Sequence, residues 1–393
     1  MRSASESEGV PGRLRLTPLE ELWVVPIGID EETESLPEAA PVGDPRAALE
    51  EVVLAGLLRP PCLVSFSGGV DSSTVLALAA HVARREGLPP PIPATNQFPC
   101  LQEAQESRWQ EQVIGHLHLR DWLRLEWRED ELDILGPLAT DILERHGILV
   151  PFNGHFHYPL LKRAAGGSLL TGIGGDELFE TVRWATAANV VFARRRPRTG
   201  ELPALALGLT PRRARAMLVS RRRSFGEYHW IRDSPRRCLA RAYVQWESRD
   251  PLRWDRSIRE WWWPSRTLQS NRAGKRALAG DFDVVVESPL SAPTVLAACA
   301  HAGGALGLGA RARALDGIVG DLLPRPILER RTKASFNGAF WGRYARAFVD
   351  RWDGRGVDPE SVSEQGLREE WSKALPDAHS FAQLQRAWLA SRT

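Results

Sequence analysis

The sequence predicts an α/β protein with an open, mainly parallel sheet flanked by helices, followed by a mostly helical C-terminal part. Three observations support this fold class. Short apolar runs alternate with helical segments over roughly the first 180 residues, and this order builds a parallel sheet. Two of the apolar runs end in glycine-rich turns. From about residue 184 to the end, helical periodicity broken by prolines dominates.

The predicted elements alternate between strand and helix after an initial helix over 44–58. That helix has Asp44 as its N-cap and Pro45 in its first turn. Apolar runs predict strands, and segments with apolar residues at helical spacing predict the helices between them. The strands cover 62–66, 92–96 and 167–171, and the helices cover 72–85, 103–117 and 132–146. A further short strand is predicted over 22–27.

The 393 residues are long enough for two or three domains. We expect a mobile leader and linker over 1–44, one large domain over 45–345, and a helical tail over 346–393. The large domain includes an arginine-rich helical segment over 183–241.

Composition excludes several classes of protein. Hydrophobic residues make up 43% and charged residues 25%, which is a globular mixture and not that of a disordered or rod-like chain. The sequence has no apolar run of about 18 residues and no secretory signal, so we expect a cytoplasmic protein without a membrane partner. The four cysteines are far apart, which predicts reduced, mostly buried thiols and no zinc site.

Charge is unevenly distributed along the chain. Residues 1–60 carry five arginines and twelve acids, a balance of −7, whereas residues 183–241 carry fifteen arginines and three acids, a balance of +12. The basic segment is either a set of solvated helix faces or a surface for nucleic acid, an acidic peptide or pyrophosphate. Since no RNA-binding or helix-turn-helix signature accompanies it, a nucleic-acid partner is not expected.

The first chemical motif is S-G-G-V-D-S-S over 67–73, directly after a predicted strand. Its two glycines permit a tight turn whose N–H groups point into one concavity at the start of a helix, which suits a phosphate. Asp71 would repel that phosphate unless Mg²⁺ lay between them, and Mg²⁺ prefers carboxylate and phosphate oxygens. The lysine of a Walker loop is absent.

The second motif is L-T-G-I-G-G-D-E-L-F over 170–179. Its glycines permit close approach to a nucleotide, and Asp176 offers a second carboxylate for Mg²⁺. The first motif resembles the pyrophosphatase loop of adenine nucleotide alpha hydrolase-like enzymes. The second is similar to the G-x-G-G-D-E-L-F segment of asparagine synthetases. This resemblance implies cleavage of ATP between its α and β phosphates and transfer of AMP to a carboxylate or amide oxygen.

A third segment, R-T-K-A-S-F over 331–336, resembles the R-x-K-x-x-F stretch of the same family. In all, the resemblance covers about residues 45–345. It implies catalytic roles for Lys333, Asp71 and Asp176, with Mg²⁺ on the two aspartates. It also implies ATP contacts at Ser65, Ser67, Gly68, Gly69, Val70, Asp71, Ser72, Ser73, Asn96, Gly172, Gly174, Gly175 and Lys333.

Two departures from the family bear on the substrate. Arg2 occupies the place of the glutaminase cysteine, and only some 44 residues precede the synthetase-like part. We therefore expect the nitrogen to come from an ammonia-supplying partner protein or from an amine already on a substrate. Ile173 occupies the place of a glutamate in asparagine synthetases and of a tyrosine in β-lactam synthetases. Isoleucine can neither accept a proton nor donate a hydrogen bond.

These observations favour an amide-forming ligase of natural-product or peptide biosynthesis, in the style of lasso-peptide cyclases. Its substrates would be a carboxylate and an amine or peptide, with a peptide-delivering protein as a further candidate partner. Two alternatives remain at this point: an RNA-modifying adenylating enzyme, and a catalytically silent scaffold.

Several other residues have both a functional and a structural interpretation. His155 and His157 lie just before the second motif and could serve as general bases. Glu106 and Glu177 could support the site or serve only the fold. Six tryptophans could line a hydrophobic groove, although such spacing is more typical of a core; they are Trp230, Trp246, Trp254, Trp261, Trp262 and Trp263.

Overall fold

The computed structural model describes residues 15–38, 43–128, 130–179, 183–220, 225–330, 332 and 334–392. Within these ranges, the strands of one five-stranded sheet are β1 (Cys62–Ser65), β2 (Ile92–Gln97), β3 (Leu123–Glu126), β4 (Ser168–Thr171) and β5 (Val285–Glu287). The strand order is β3-β2-β1-β4-β5, and every neighbouring pair is parallel. The predicted α/β fold class is confirmed.

Eighteen α-helices are present in the same ranges, most of them after β4. They are α1 (Pro45–Leu57), α2 (Val70–Glu86), α3 (Ser107–Leu117), α4 (Pro137–His146), α5 (Tyr158–Arg163), α6 (Gly175–Phe179), α7 (Ala185–Phe192), α8 (Leu202–Leu209), α9 (Arg212–Ser220), α10 (Asp233–Glu247), α11 (Trp254–Ser257), α12 (Arg266–Gly280), α13 (Pro293–Gly303), α14 (Arg311–Val319), α15 (Arg325–Leu328), α16 (Arg343–Val349), α17 (Glu364–Trp371) and α18 (Phe381–Ala390). The mostly helical C-terminal part is therefore also confirmed.

The main core lies between the sheet and helices α1, α2 and α13. Leu49, Val53, Leu76 and Val295 are fully buried there. Helix α1 begins as predicted, because the Asp44 carboxylate accepts a hydrogen bond from the Arg46 N–H at 3.0 Å. This packing fixes the start of α2 against the end of β1.

The N-terminal segment differs from the prediction. No strand forms over 22–27; instead a 3₁₀ turn at Glu20–Leu22 leads into irregular chain. The reason is local: the buried Glu20 carboxylate accepts hydrogen bonds from the N–H groups of Thr17 and Ile27 at 2.7 and 2.6 Å, and it pairs with Arg266 at 2.8 Å. Side-chain bonds thus replace the ladder that a strand would need.

A second core joins this N-terminal segment to the helical C-terminal part. Trp23 packs edge-on against Phe225, Tyr228 and Tyr243, with ring centroids 5.3 to 5.7 Å apart. It is only 3% exposed. The expectation of a mobile leader therefore fails for residues 15–38, while the domain boundaries after residues 44 and 345 stay predictions.

The other predicted elements are present with shifted ends. The third and fourth helices begin at Ser107 and Pro137 instead of residues 103 and 132, and the edge strands β3 and β5 were missed. The cysteines are free thiols, but only two of the four are buried, so the expected general burial is half right; Cys62 and Cys299 are buried, Cys100 and Cys238 exposed. Nowhere in the described ranges is a helix long and apolar enough to cross a membrane.

Candidate active site

The two glycine motifs meet where the strand order reverses. After β1 the chain builds β2 and β3 on one side, and later β4 and β5 on the other, so β1 and β4 are neighbours. Ser65 pairs with Thr171 at the carboxyl ends of these strands. In open α/β sheets ligands bind at this switch point. Both motifs follow these strand ends directly, so the topology brings them to one site.

The first motif forms a closed loop at the start of α2. Gly68 has a φ of +87°, which side-chain-bearing residues rarely adopt. The Ser72 hydroxyl accepts from the Ser67 N–H at 3.3 Å and lies 3.1 Å from the Gly69 carbonyl. Ser73 donates to the same carbonyl at 2.8 Å. The hydroxyls thus hold the loop in shape at the positive end of a 17-residue helix.

Buried side chains hold this loop from outside. Gln110 donates to the Ser67 carbonyl at 3.0 Å, and Arg330 donates to the Gly68 carbonyl at 2.7 Å. The Arg330 side chain, 2% exposed, also pairs with the Glu106 carboxylate and lies 4.9 Å from the Trp109 ring centroid. Glu106 is therefore a support of the loop. Arg330 was not identified from the sequence, because no motif marks it.

The glycines of the second motif are required by close packing against the first. A Cβ on Gly172 would lie 2.6 Å from the Ser72 nitrogen, and one on Gly175 would overlap the Asp71 carboxyl carbon. Gly174 has a φ of +103°. The close contact between the two turns is therefore the main structural reason for the glycines of the second motif.

The two motif carboxylates converge on one cation. Arg311, at the start of α14, donates to Asp71 Oδ1 at 2.6 Å and to Asp176 Oδ1 at 3.0 Å. Partial burial lowers the pKa of Arg311, but the two carboxylates outweigh it and raise that pKa above the usual value. Arg311 was missed from the sequence, since it lies 240 residues from Asp71.

This arrangement fits Mg²⁺. The guanidinium shows that Asp71 and Asp176 can face one positive group together, and carboxylate oxygens are ligands that Mg²⁺ accepts. Two carboxylates leave positions for phosphate oxygens and water. The described residues contain no group of three or more His, Cys, Asp or Glu side chains that could hold a metal by themselves.

Three of the four remaining predicted nucleotide contacts lie at or near the same strand ends. Ser65 ends β1, and the Val70 side chain belongs to the core, which leaves its backbone for the loop. Asn96 on β2 accepts from the Trp127 indole at 2.9 Å and donates to the Phe156 carbonyl at 3.2 Å. Lys333 lies outside the described residues. All four assignments stay predictions.

Neither histidine candidate is suited to act as a base near neutral pH. Burial lowers the pKa of His155 to about 4 and that of His157 to about 3. His155 Nε2 is held 2.9 Å from the Leu132 carbonyl oxygen. The structural interpretation therefore holds for His155.

The tryptophans mostly belong to cores, as the alternative interpretation expected. Four of the six are at most 8% exposed, namely Trp230, Trp246, Trp254 and Trp263. Trp261 stacks on Trp246 at 4.8 Å. They do not form an open peptide groove.

Comparison with known proteins gives one family match. The model of the asparagine synthase family matches residues 46–277, more than half of the chain. The matched range contains both glycine motifs and ends before Arg311, Arg330 and the segment over 331–336. No curated protein matches the chain.

Proposed function

This chain belongs to the asparagine synthase family, whose fold serves ATP-dependent amide-forming ligases, and from this we propose an AMP-forming carboxylate–amine ligase. The convergence of Asp71 and Asp176 on one cation, beside the closed loop of the first motif, is the observation that carries the proposal. Such a site suits a metal-bound polyphosphate whose α phosphorus is attacked by a carboxylate.

The reaction has two steps. A substrate carboxylate oxygen attacks the α phosphorus of ATP, and the bond to the β-phosphate oxygen breaks, which gives an acyl-adenylate and pyrophosphate. An amine nitrogen then attacks the acyl carbon, AMP leaves, and the amine loses a proton.

Each group of residues at the site has its own role in the first step. N–H groups of the loop over 67–73 hold the departing pyrophosphate. Asp71 and Asp176 would hold Mg²⁺, which neutralises phosphate charge when bound. Lys333 stabilises the charge that develops as pyrophosphate leaves. Arg311, which pairs with both carboxylates in this structure, would have to release them to the metal and could then pair with the phosphates.

We propose a peptide substrate that supplies both the carboxylate and the amine, so that the product is a macrolactam. Ile173 supports this, because it removes the side-chain acid that the resemblance expects for asparagine formation. A protein that delivers the peptide belongs to the same proposal. An RNA substrate has less support, because several arginines of 183–241 are used internally: Arg183 pairs with Glu247 at 2.6 Å, Arg195 pairs with Glu201 at 2.8 Å, and Arg215 is buried.

The test uses the full chain with Mg²⁺ and α-labelled ATP. The probes are aspartate with ammonium or hydroxylamine, and synthetic peptides with a free N-terminal amine and one internal Asp or Glu. We expect AMP, and not ADP, to form with at least one peptide, together with loss of one water from that peptide. The Asp71→Asn variant, nearly the same size, should form none. AMP formation at an equal rate by that variant would contradict the assignment, and ADP as product would exclude adenylation.

A further inference from the structure

A buried lysine lies behind the second glycine motif. Lys275 on α12 is 8% exposed, and the chain has only four lysines. Its Nζ lies 3.5 Å from the Ser288 hydroxyl, which is a long hydrogen bond, and no ion pair to Lys275 is found among the described residues. A buried ammonium with so little compensation is costly, so this position favours the neutral amine.

The surroundings of Lys275 favour its neutral form. Lys275 lines a mostly apolar cavity with Thr171, Leu169, Val286 and His157. His157 Nδ1 is buried there and has no hydrogen-bond partner among the described residues.

Few charged groups reach this cavity. Burial, together with the positive charge of Arg272 one turn away, lowers the pKa of Lys275 to about 7 against the opposing effect of exposed Glu177. The negative charge of Glu287 on β5 opposes the lowering of the Arg272 pKa by burial. Lys162 on α5 is exposed to solvent. Near neutral pH, then, a large fraction of Lys275 is an uncharged amine.

A short chain of hydroxyls connects this amine to the site. The half-buried Ser288 hydroxyl lies 3.5 Å from Lys275 Nζ and 2.8 Å from the Thr171 hydroxyl. Thr171 ends β4, immediately before Gly172, which packs against the backbone of Ser72. The Ser288 hydroxyl thus lies between the residue that precedes the second motif and the Lys275 amine, so a proton that reaches Ser288 has an acceptor 3.5 Å away.

We propose that Lys275 accepts, through the Ser288 hydroxyl, the proton that the attacking amine loses during amide formation. This inference rests on the proposed function. As the C–N bond forms and the acyl–oxygen bond to AMP breaks, the proton on nitrogen passes to Ser288 Oγ, while the Ser288 proton passes to Lys275 Nζ. The ammonium then returns its proton to solvent before the next turnover. Lys275 thus supplies the proton acceptor that the side chain of Ile173 cannot provide.

The first test measures the protonation of Lys275 directly. Lysine labelled at Cε gives four NMR signals in the full chain, and Lys275→Arg assigns the one of interest by its disappearance. We expect that signal to titrate near pH 7, about three units below the usual pKa of a lysine side chain in water. A midpoint near 10 would overturn the proposal, whether or not a substrate is known.

The second test separates the two reaction steps, with the peptide that yields AMP in the assay above. Pyrophosphate exchange into ATP reports adenylation, and the dehydrated peptide reports amide formation. In Lys275→Met and Lys275→Arg we expect exchange within about threefold of wild type and amide formation lower by about 100-fold. The rise of the wild-type amide rate through about pH 7 should also be lost. Lys162→Met, an exposed lysine, is the matched control.

The outcomes are distinguishable. If wild type forms no AMP from any probe, the proposed function fails. If wild type is active and Lys275→Met forms the amide at the wild-type rate, this inference alone fails. An equal loss of exchange and amide formation, with an unchanged pH profile, would make Lys275 a structural residue and would also refute the inference.

Discussion

Replacing Lys275 with Met should make the protein more stable, and the gain should grow as the pH falls. Methionine has a similar volume and carries no charge. In the unfolded chain the lysine keeps its ordinary pKa of 10.5, whereas in the folded protein it is about 7. Between these values the unfolded chain holds a proton that the folded protein does not, so lowering the pH stabilises the unfolded state.

The magnitude follows from the difference between the two pKa values. Each pH unit in that window changes stability by about 1.36 kcal/mol. From about pH 9 to about pH 7 the pH changes by two units. The loss of stability is somewhat smaller than two full units would give, because folded Lys275 itself begins to take up a proton near pH 7. The wild type should therefore lose about 2 kcal/mol relative to Lys275→Met, with no further relative loss well below pH 7.

Urea unfolding of both proteins at the two pH values measures this difference, because every other titrating group is common to them and cancels. Lys162→Met, at an exposed site, should differ from wild type by the same amount at both pH values. If the difference between Lys275→Met and wild type is also the same at both, the ammonium is not desolvated, and the proton-acceptor inference loses its basis.

Other predictions concern the metal and the loop. Arg311→Gln should lower the Mg²⁺ concentration needed for half-maximal ADP binding by several-fold, because Mg²⁺ no longer displaces a guanidinium; calorimetry showing an unchanged requirement would refute the exchange. Asp71→Asn should weaken Mg²⁺-dependent binding by about 100-fold, and equal affinity would remove it from the metal site. Gly175→Ala should displace Asp71 and weaken Mg²⁺-dependent ADP binding at least about 10-fold, with an unchanged circular dichroism spectrum. Wild-type affinity would show that the turn can move to make room for the added methyl group. Arg330→Met should cost about 3 to 5 kcal/mol in urea unfolding, since Glu106 keeps a buried charge without its partner; a loss below about 1 kcal/mol would contradict that pairing.

The parts of the fold that could be predicted are those set by local sequence. A short apolar run followed by glycines and a periodic segment specifies a strand, a tight turn and a helix, and β1 with α2 formed accordingly. The three-residue strand β5 could not be predicted in this way. It forms because β4 offers it a parallel partner, and such a contact leaves no periodic pattern in so short a segment.

The site residues that could be predicted are likewise those that a local sequence motif marks. Both carboxylates were identified because each stands within a glycine motif, whereas their common partner Arg311 lies 135 residues beyond Asp176. Nothing in its neighbourhood distinguishes it from the other arginines. The turn glycines were identified for their backbone freedom, although the strongest constraint on Gly172 and Gly175 is the contact between the two turns. Only tertiary packing reveals that constraint.

The choice between arginine and lysine gives a final argument about the chemistry. Lysine and arginine together number 51, of which four are lysines, so arginine is the ordinary cation of this chain. At Arg311 an arginine suits the task, because a permanently charged fork can bridge two carboxylates. At Lys275 an arginine would stay charged at any pH the folded protein tolerates and could not accept a proton. Proton transfer requires a lysine at this buried position, whereas charge pairing alone would be served by arginine, the commoner cation of this chain.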